Sequence, residues 1–324
     1  MSVGSGKNAM IREIHIRNFR GIEDLRLSFL DSEGNPSKIV VLGGPNGSGK
    51  TSVLESILLA AGRPEIVKGS TGKSAIRDGR AGYEIRATFA TDRGPHEVAL
   101  PAASSKQPFV LDCDYFSSWR APRLVGAVGI TAGKGGKRPA VTEENRLLVI
   151  KQYLVNARAY QTLSATEPRT SRYEEVMDRI SRVWEMFYPG SQQYFSVEPV
   201  GKEPSEGFDV FLNFGGGQRV FLDALSSGQL EIFALAGSML PENSSVSLIC
   251  IDEPELHLDA LWHRVILKAM TILRPQCQFI VATHSQEVVD SVYSFQRHFL
   301  SPKGFRLSPS EAELPGAEKG GAKW

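Results

Sequence analysis

Apolar positions along the chain follow two periods, and the changes from one to the other mark out the elements. Period-two patterning over Ile11-Arg12-Glu13-Ile14-His15-Ile16 and over Leu25-Arg26-Leu27-Ser28-Phe29 predicts a hairpin joined through Asn18-Phe19-Arg20-Gly21. Ile39-Val40-Val41-Leu42 is an unbroken, β-branched run, the pattern of a strand buried on both faces. Helical spacing takes over at Val53, Leu54, Ile57 and Leu58 and predicts a helix over Ser52–Ala61. Tyr83–Ala90 and His96–Leu100 return to strand, antiparallel to the first pair, and a loop-rich stretch runs from Pro101 to Ala140 with Gly129–Gly136 as its most flexible part. Helices are predicted over Glu143–Leu163 and Ser171–Phe187. The second carries Tyr173, Val176, Met177, Ile180, Val183, Trp184 and Phe187 on one face, a stripe for packing rather than for a cofactor. Phe208–Phe214 and Gln218–Leu222 read as a hairpin around Gly215-Gly216-Gly217, while Ser247–Ile251 and Phe279–Thr283 read as buried parallel strands. The chain has no internal repeat.

The first strand-to-helix junction carries the chemistry. Gly44-Pro45-Asn46-Gly47-Ser48-Gly49-Lys50-Thr51 is a complete phosphate-binding loop between the Ile39–Leu42 strand and the helix that begins at Ser52. Its glycines let successive backbone N–H groups point at phosphate oxygens, Lys50 adds a point charge, and Thr51 offers a hydroxyl to Mg²⁺. Two near-matches show how specific this is. Gly4-Ser5-Gly6-Lys7 has no strand before it, and Gly69-Ser70-Thr71-Gly72-Lys73-Ser74 has Val67 where the first glycine should stand, so both read as loops.

A second constellation ends the Ser247–Ile251 run in Asp252-Glu253-Pro254. Open α/β sheets place their ligands at the carboxyl ends of their strands, where these carboxylates emerge. Asp252 is expected to complete the metal shell that Thr51 begins, and Glu253 to orient or deprotonate an attacking water. Ser226 and Ser227 are expected to cap a helix over Gly228–Leu240, whose N-terminus suits a γ-phosphate. His284 follows the Phe279–Thr283 run and is expected at the same sheet edge as Glu253.

Composition narrows the class. The 324 residues are 41% apolar and 23% charged, enough for one large or two modest domains with a real core. No stretch approaches the roughly 20 apolar residues of a spanning helix, and no signal-peptide region precedes the first strand, so a cytoplasmic protein without a membrane partner is expected. Cys113, Cys250 and Cys277 are too few and too scattered for a disulfide framework or metal cluster. The formal charge of +1 argues neither for nor against nucleic acid; the local basic groups are Arg63, Lys68, Lys73, Arg77 and Arg80, and Lys134, Lys137 and Arg138.

In this order, the motifs resemble those of the ABC-type ATPases, in the branch of RecF-like and structural-maintenance-of-chromosomes (SMC)-like heads that includes OLD-type and stand-alone antiphage-defence ATPases. The resemblance runs from Ile11 to about Tyr293 and is carried by Asn18–Gly21, the phosphate loop Gly44–Thr51, a signature Leu225-Ser226-Ser227-Gly228-Gln229, the Asp252-Glu253 strand end, a D-loop at Leu258-Asp259 and the switch histidine His284. Tyr115-Phe116-Ser117-Ser118-Trp119-Arg120 is similar to a segment of bacterial stand-alone members. Ser227 replaces the glycine usual in the signature, and neither Gln107 nor Gln152 lies in a motif that would mark the Q-loop glutamine. No sustained heptads separate the two halves, so a compact helical lobe is expected where SMC proteins carry coiled coils.

The resemblance implies an α/β, P-loop NTPase head of the ABC type: a mainly parallel core sheet flanked by helices, an N-terminal antiparallel β subdomain and a helical lobe. The expected organisation is a disordered leader over 1–10, an N-terminal lobe over 11–142, a helical lobe over 143–240, the rest of the core sheet over 241–300 and a flexible tail over 301–324. It further implies ATP and Mg²⁺ as cofactors, with Gly44, Pro45, Asn46, Gly47, Ser48, Gly49, Lys50, Thr51, Ser52, Ser226, Ser227, Gly228, Gln229 and Asp259 around the nucleotide, Thr51 and Asp252 on the metal, and Glu253, His284 and Lys50 in ATP hydrolysis. Two protomers would sandwich two ATP molecules, as a homodimer or within a higher oligomer. The expected function is a DNA-linked motor or sensor in antiphage defence or DNA repair. A nucleotide-controlled scaffold for a separate toxin or nuclease effector is the alternative, and a transporter subunit a third. Phe19 and Arg20 are either base contacts or, for Phe19, core; Trp119 and Arg120 are either a mobile contact surface or packed on the helical lobe.

Overall fold

The computed structural model describes residues 9–67, 75–77, 79–101, 109–118, 123–130, 145–163, 172–202, 206–240 and 246–301. The leader up to residue 8, the 69–74 near-match, Lys68, Lys73, Gln107, Trp119, Arg120, Lys134, Lys137, Arg138 and the tail from 302 lie outside the described residues. The chain divides into two compact units, one of Met1–Ser118, Ser244–Glu255 and Gln276–Trp324, the other of Trp119–Asn243 and Leu256–Pro275.

Two sheets build the first unit. Strands β1 (Met10–Phe19), β2 (Ile22–Ser28), β4 (Glu84–Thr91) and β5 (Gly94–Leu100) form an antiparallel sheet in the order β2-β1-β4-β5. Ile11 and Ile14 are both buried although three residues apart, because the register with β4 shifts between Ile11 and Glu13. That bulge inserts one residue and turns both isoleucines to the core. The second sheet runs β12 (Arg297–Phe299), β3 (Ile39–Gly43), β11 (Gln278–Thr283), β10 (Leu248–Asp252) and β6 (Cys113–Phe116), and all its pairings are parallel. Every residue of β10 and β11 is buried, which is why their sequences are apolar without alternation. Helix α1 (Lys50–Ala60) packs on this sheet with Val53, Leu54, Ile57 and Leu58 fully buried.

Gln278 joins the two sheets. Its Oε1 accepts from Ile11 N at 2.7 Å, and its Nε2 donates to Ile11 O at 3.0 Å and Ser37 O at 2.9 Å. A fully buried amide is tolerated because these bonds satisfy it. Two strands of the core sheet depart from the pattern-based reading. Cys113–Phe116, read as part of a loop, is the edge strand β6; with polar Asp112 and Asp114 and pairing on one side only, it lacks the apolar run of a central strand. Arg297–Phe299 is β12, too short for periodicity to reveal. Cys113 and Cys250 are buried, and burial pushes the Cys113 thiol up to about 12 and Cys250 well above its ordinary value, so neither is a reactive thiolate.

The second unit is helical with one small sheet. Helices α2 (Arg146–Leu163), α3 (Arg172–Phe187), α4 (Ser227–Met239) and α5 (Ala260–Leu273) accompany the antiparallel strands β7 (Tyr194–Pro199), β8 (Phe208–Asn213) and β9 (Arg219–Phe221). All seven residues of the predicted α3 stripe are buried. Trp184 stacks on Tyr188 at 4.6 Å and meets Phe195 edge-on at 4.8 Å, and Phe195 meets Phe233 of α4 at 4.8 Å. Strand β7 was not foreseen: Tyr194–Pro199 alternates for too few residues to stand out beside α3. Among the described residues no helix is long and apolar enough to cross a membrane.

His298 on β12 lies edge-on to Phe29, its Nε2 is buried without a hydrogen-bond partner, and burial lowers its pKa from 6.5 to about 4. The unfolded chain therefore binds this proton first as pH falls. The stability that the neutral ring contributes is complete above pH 6.5 and is lost toward pH 4, at up to about 1.4 kcal/mol per pH unit. His298→Leu should flatten that part of the curve in urea unfolding between pH 7 and 4.5; parallel curves for variant and wild type would contradict the assignment.

Candidate nucleotide-binding site

Parallel pairing of β3, β11 and β10 sets the site. Leu42 is level with Ala282, which is level with Asp252, and Gly43 is level with Thr283, so three strand ends reach one edge together. Gly44 turns the chain out of β3 at φ 152°, and a Cβ there would lie 2.5 Å from the carbonyl oxygen of Leu300, so the loop admits no side chain at that point. Pro45, Asn46 and Gly47 are exposed, Ser48 and Lys50 are buried, and Gly49, in left-handed conformation, opens α1.

Lys50 Nζ donates to the carbonyls of Gly44 at 2.8 Å and Pro45 at 3.0 Å. Burial lowers its pKa, while Asp252, Glu253 and Glu255 act in the opposite sense. The Thr51 hydroxyl donates to Asp252 Oδ2 at 2.7 Å, across 201 positions of sequence. A hydroxyl and a carboxylate oxygen this close are the hard donors that a small divalent cation shares with phosphate and water, so these residues fit Mg²⁺. Ser52 follows at the start of α1, partly buried.

Glu253 leaves β10 at φ 52°, unusual for a residue with a side chain, while its N–H donates to Ala282 O at 2.7 Å. The turn brings its carboxylate to His284, with Glu253 Oε1 3.3 Å from Nδ1. Beneath them, Glu255 Oε1 accepts from the Thr283 hydroxyl at 2.5 Å and from the N–H groups of His284 and Ser285 at 3.2 Å each. Sequence reasoning passed over Glu255; an acidic residue inside the apolar-flanked Glu-Leu-His-Leu-Asp segment was the available signal.

The signature and Asp259 belong to the second unit. Ser226 caps α4: its Oγ accepts from Gln229 N at 3.4 Å, and Gln229 Oε1 accepts from Ser226 N at 3.1 Å. Ser226 and Ser227 are exposed, so a serine in place of the usual glycine at 227 meets no obstacle. Gly228 is constrained, since a Cβ there would sit 2.8 Å from His257 O and 3.3 Å from Trp262. Tyr188, also missed from sequence, shares a side-chain hydrogen bond with Gln229 and meets Trp262 edge-on at 5.2 Å. Asp259 caps α5 by accepting from Leu261 N at 2.9 Å.

Other residues singled out from sequence have structural roles. Phe19 is fully buried against Tyr83, a core residue and not a base contact, and Arg20 forms an ion pair with Glu55 of α1. Arg77 and Arg80 both pair with Glu23, and Arg63 pairs with Glu65 and Asp112. Gln152 donates to Gly129 O at 2.8 Å and Asn156 Oδ1 at 3.0 Å within the second unit.

A family model described as "AAA domain, putative AbiEii toxin, Type IV TA system" matches residues 152–290, and a second, described as "AAA domain", matches residues 13–109. The chain is 24% identical over 292 residues to Septu protein PtuA of Bacillus mycoides, covering 86% of this chain and 39% of that protein. It is 28% identical over 101 residues to the Retron Vc95 probable ATPase of Vibrio cholerae, covering 30% of this chain and 20% of that one. The chain thus spans well under half the length of these relatives. In fold it is similar to the Smc head bound to the C-winged helix domain of ScpA, at TM-score 0.53 and 14% identity over 92% of this chain and 96% of that one. The Pyrococcus furiosus Smc head with an extended coiled coil gives TM-score 0.54 at 13% identity, over 92% of this chain and 95% of that one. The fold is that of an α/β P-loop ATPase. In fold the chain is similar to SMC heads, and AAA-domain models match two stretches of it.

Glu255 gives this site a direct test. Glu255→Ala leaves the Thr283 hydroxyl and the His284 N–H without this acceptor, while the Ser285 N–H keeps Thr283 Oγ1 at 2.9 Å, and should cost about 3 kcal/mol of stability. Amide exchange at His284 and Ser285 should accelerate with it; unchanged exchange there would show that Glu255 does not anchor the turn.

Proposed function

We propose that the chain binds ATP with Mg²⁺, dimerises through it and hydrolyses it, as the nucleotide switch of an antiphage-defence system. One observation carries this reading: Lys50, the Thr51–Asp252 pair and the Glu253–His284 pair converge on one edge of a parallel sheet. Lys50 would exchange its two loop carbonyls for phosphate oxygens, keeping a buried cation beside the developing charge. A divalent cation held by Thr51 and Asp252 would neutralise phosphate charge. Glu253 would accept a proton from the attacking water, and His284, oriented through its own N–H by Glu255, would hold the Glu253 carboxylate in place. The exposed Ser226 and Ser227, at the start of α4, would meet the γ-phosphate bound by a second copy, with Asp259 beside them. The place in defence rests on the names of the two curated relatives.

Between DNA and a separate effector protein as the thing controlled, a specific observation favours the effector. The described arginines of the basic group after α1 are each paired with a carboxylate, Arg77 and Arg80 with Glu23 and Arg63 with Glu65 and Asp112, so none of the three stands as an isolated cation for a phosphate backbone.

Glu253→Gln should lower steady-state ATP hydrolysis by about 10²-fold or more while trapping a dimer with ATP and Mg²⁺ in light scattering. A variant that stays monomeric at saturating ATP refutes the sandwich. Wild-type turnover that duplex DNA leaves unchanged across a salt series supports the effector reading; salt-sensitive stimulation restores the DNA-linked one.

A further inference from the structure

Lys151 is a fully buried lysine with three oxygens around its ammonium. Its Nζ lies 2.7 Å from Asp209 Oδ1 on β8 and 3.0 Å from Asp223 Oδ1, and it donates to Gly126 O at 2.9 Å. The N–H groups of Val125 and Gly126 in turn donate to Asp223 Oδ2 at 3.3 and 2.6 Å. A buried ammonium among two carboxylates and a carbonyl is expensive to assemble and more expensive to break, since removing one partner leaves the others buried and unpaired. Its position in the chain gives it significance. Asp223 sits in a short 3₁₀ turn, Leu222–Ala224, which runs straight into Leu225 and Ser226.

A second buried pair stands on the other side of the signature. Arg146, at the first position of α2, lies with Nη1 3.5 Å from Glu231 Oε1 on α4, and both side chains are almost wholly buried. One helix therefore supplies two buried cations, Arg146 and Lys151, to carboxylates that bracket Leu225–Gln229. The same helix holds the 125–129 segment, through Lys151 to Gly126 and through Gln152 to Gly129.

We infer that α2 is a positioning lever for the signature: Lys151 through Asp223, and Arg146 through Glu231, fix where Ser226-Ser227-Gly228-Gln229 stands. Lys151 is a positioning residue and touches no nucleotide. The inference rests on the proposed ATP-bridged dimer for its consequence, but not for its local geometry.

The test uses Lys151→Met and Asp223→Asn in the full chain, each alone and with Glu253→Gln. Asp223→Asn is near-isosteric, keeps an oxygen for Val125 and Gly126 and removes the charge that meets Lys151, so it decides the matter if Lys151→Met fails to fold. Amide exchange over 225–230 should quicken by about tenfold or more, with exchange in the phosphate loop unchanged. Affinity for a fluorescent ATP analogue should stay within about twofold of wild type, while ATP-dependent dimerisation in the Glu253→Gln background weakens by about tenfold. A lysine that served only general stability would lower the melting temperature without this local and nucleotide-independent pattern. Unchanged exchange over 225–230 overturns the lever, as does unchanged dimerisation in Asp223→Asn/Glu253→Gln. If exchange quickens but Glu253→Gln alone never dimerises, the lever stands and the sandwich reading fails.

Discussion

The structure of the site depends on β11. It lies between β3 and β10, parallel to both and buried along its whole length, and its register carries the phosphate loop, Asp252-Glu253 and the Thr283–Ser285 turn to one level. Side chains on a strand alternate faces, so a slip of one residue would send Asp252 away from Thr51 and replace the 2.7 Å contact between them with a mismatch. Such a slip is opposed at the far end of the same strand. The Gln278 side chain is bonded to Ile11 and Ser37, and moving it would orphan a buried amide. A polar anchor at the first residue of β11 thus protects the geometry at the last.

Charge is arranged around that edge with the same economy. Asp252, Glu255 and Lys50 are all buried: the strand register brings Thr51 to Asp252 and Thr283 to Glu255, while Lys50 takes the carbonyls of its own loop. Glu253 is more exposed, stands on a left-handed backbone and meets His284. The buried acids are fixed by hydrogen bonds from hydroxyl and amide groups, whereas Glu253, proposed to handle a proton, faces His284.

Much of this was legible in sequence for identifiable reasons. The phosphate loop, the Asp252-Glu253 strand end and the Ser226–Gln229 cap have fixed local chemistry, and their flanking runs are long enough for period to declare itself. What escaped depended on tertiary placement. Strands β6 and β12 span few residues and take their identity from neighbours in the sheet. Glu255 and Lys151 look like solvated charges in one dimension; only the fold shows that both are buried and surrounded by partners. Phe19, open between two uses in the sequence, is settled by its burial against Tyr83.

The signature shows how a short polar motif can be ordered before any ligand arrives. Ser226 and Gln229 satisfy each other through a capping box, which uses Gln229 N and leaves the N–H groups of Ser227 and Gly228 without helical partners, as at any helix start. Gly228 is pinned by His257 and Trp262, and Gln229 is held by Tyr188. A loop so restrained loses little entropy on meeting an anion, and preorganised donors act more strongly than donors that must first be gathered. The serine at 227 fits this logic. Its side chain is exposed, so it adds a hydroxyl at the helix start without disturbing the contacts that hold the glycine beside it.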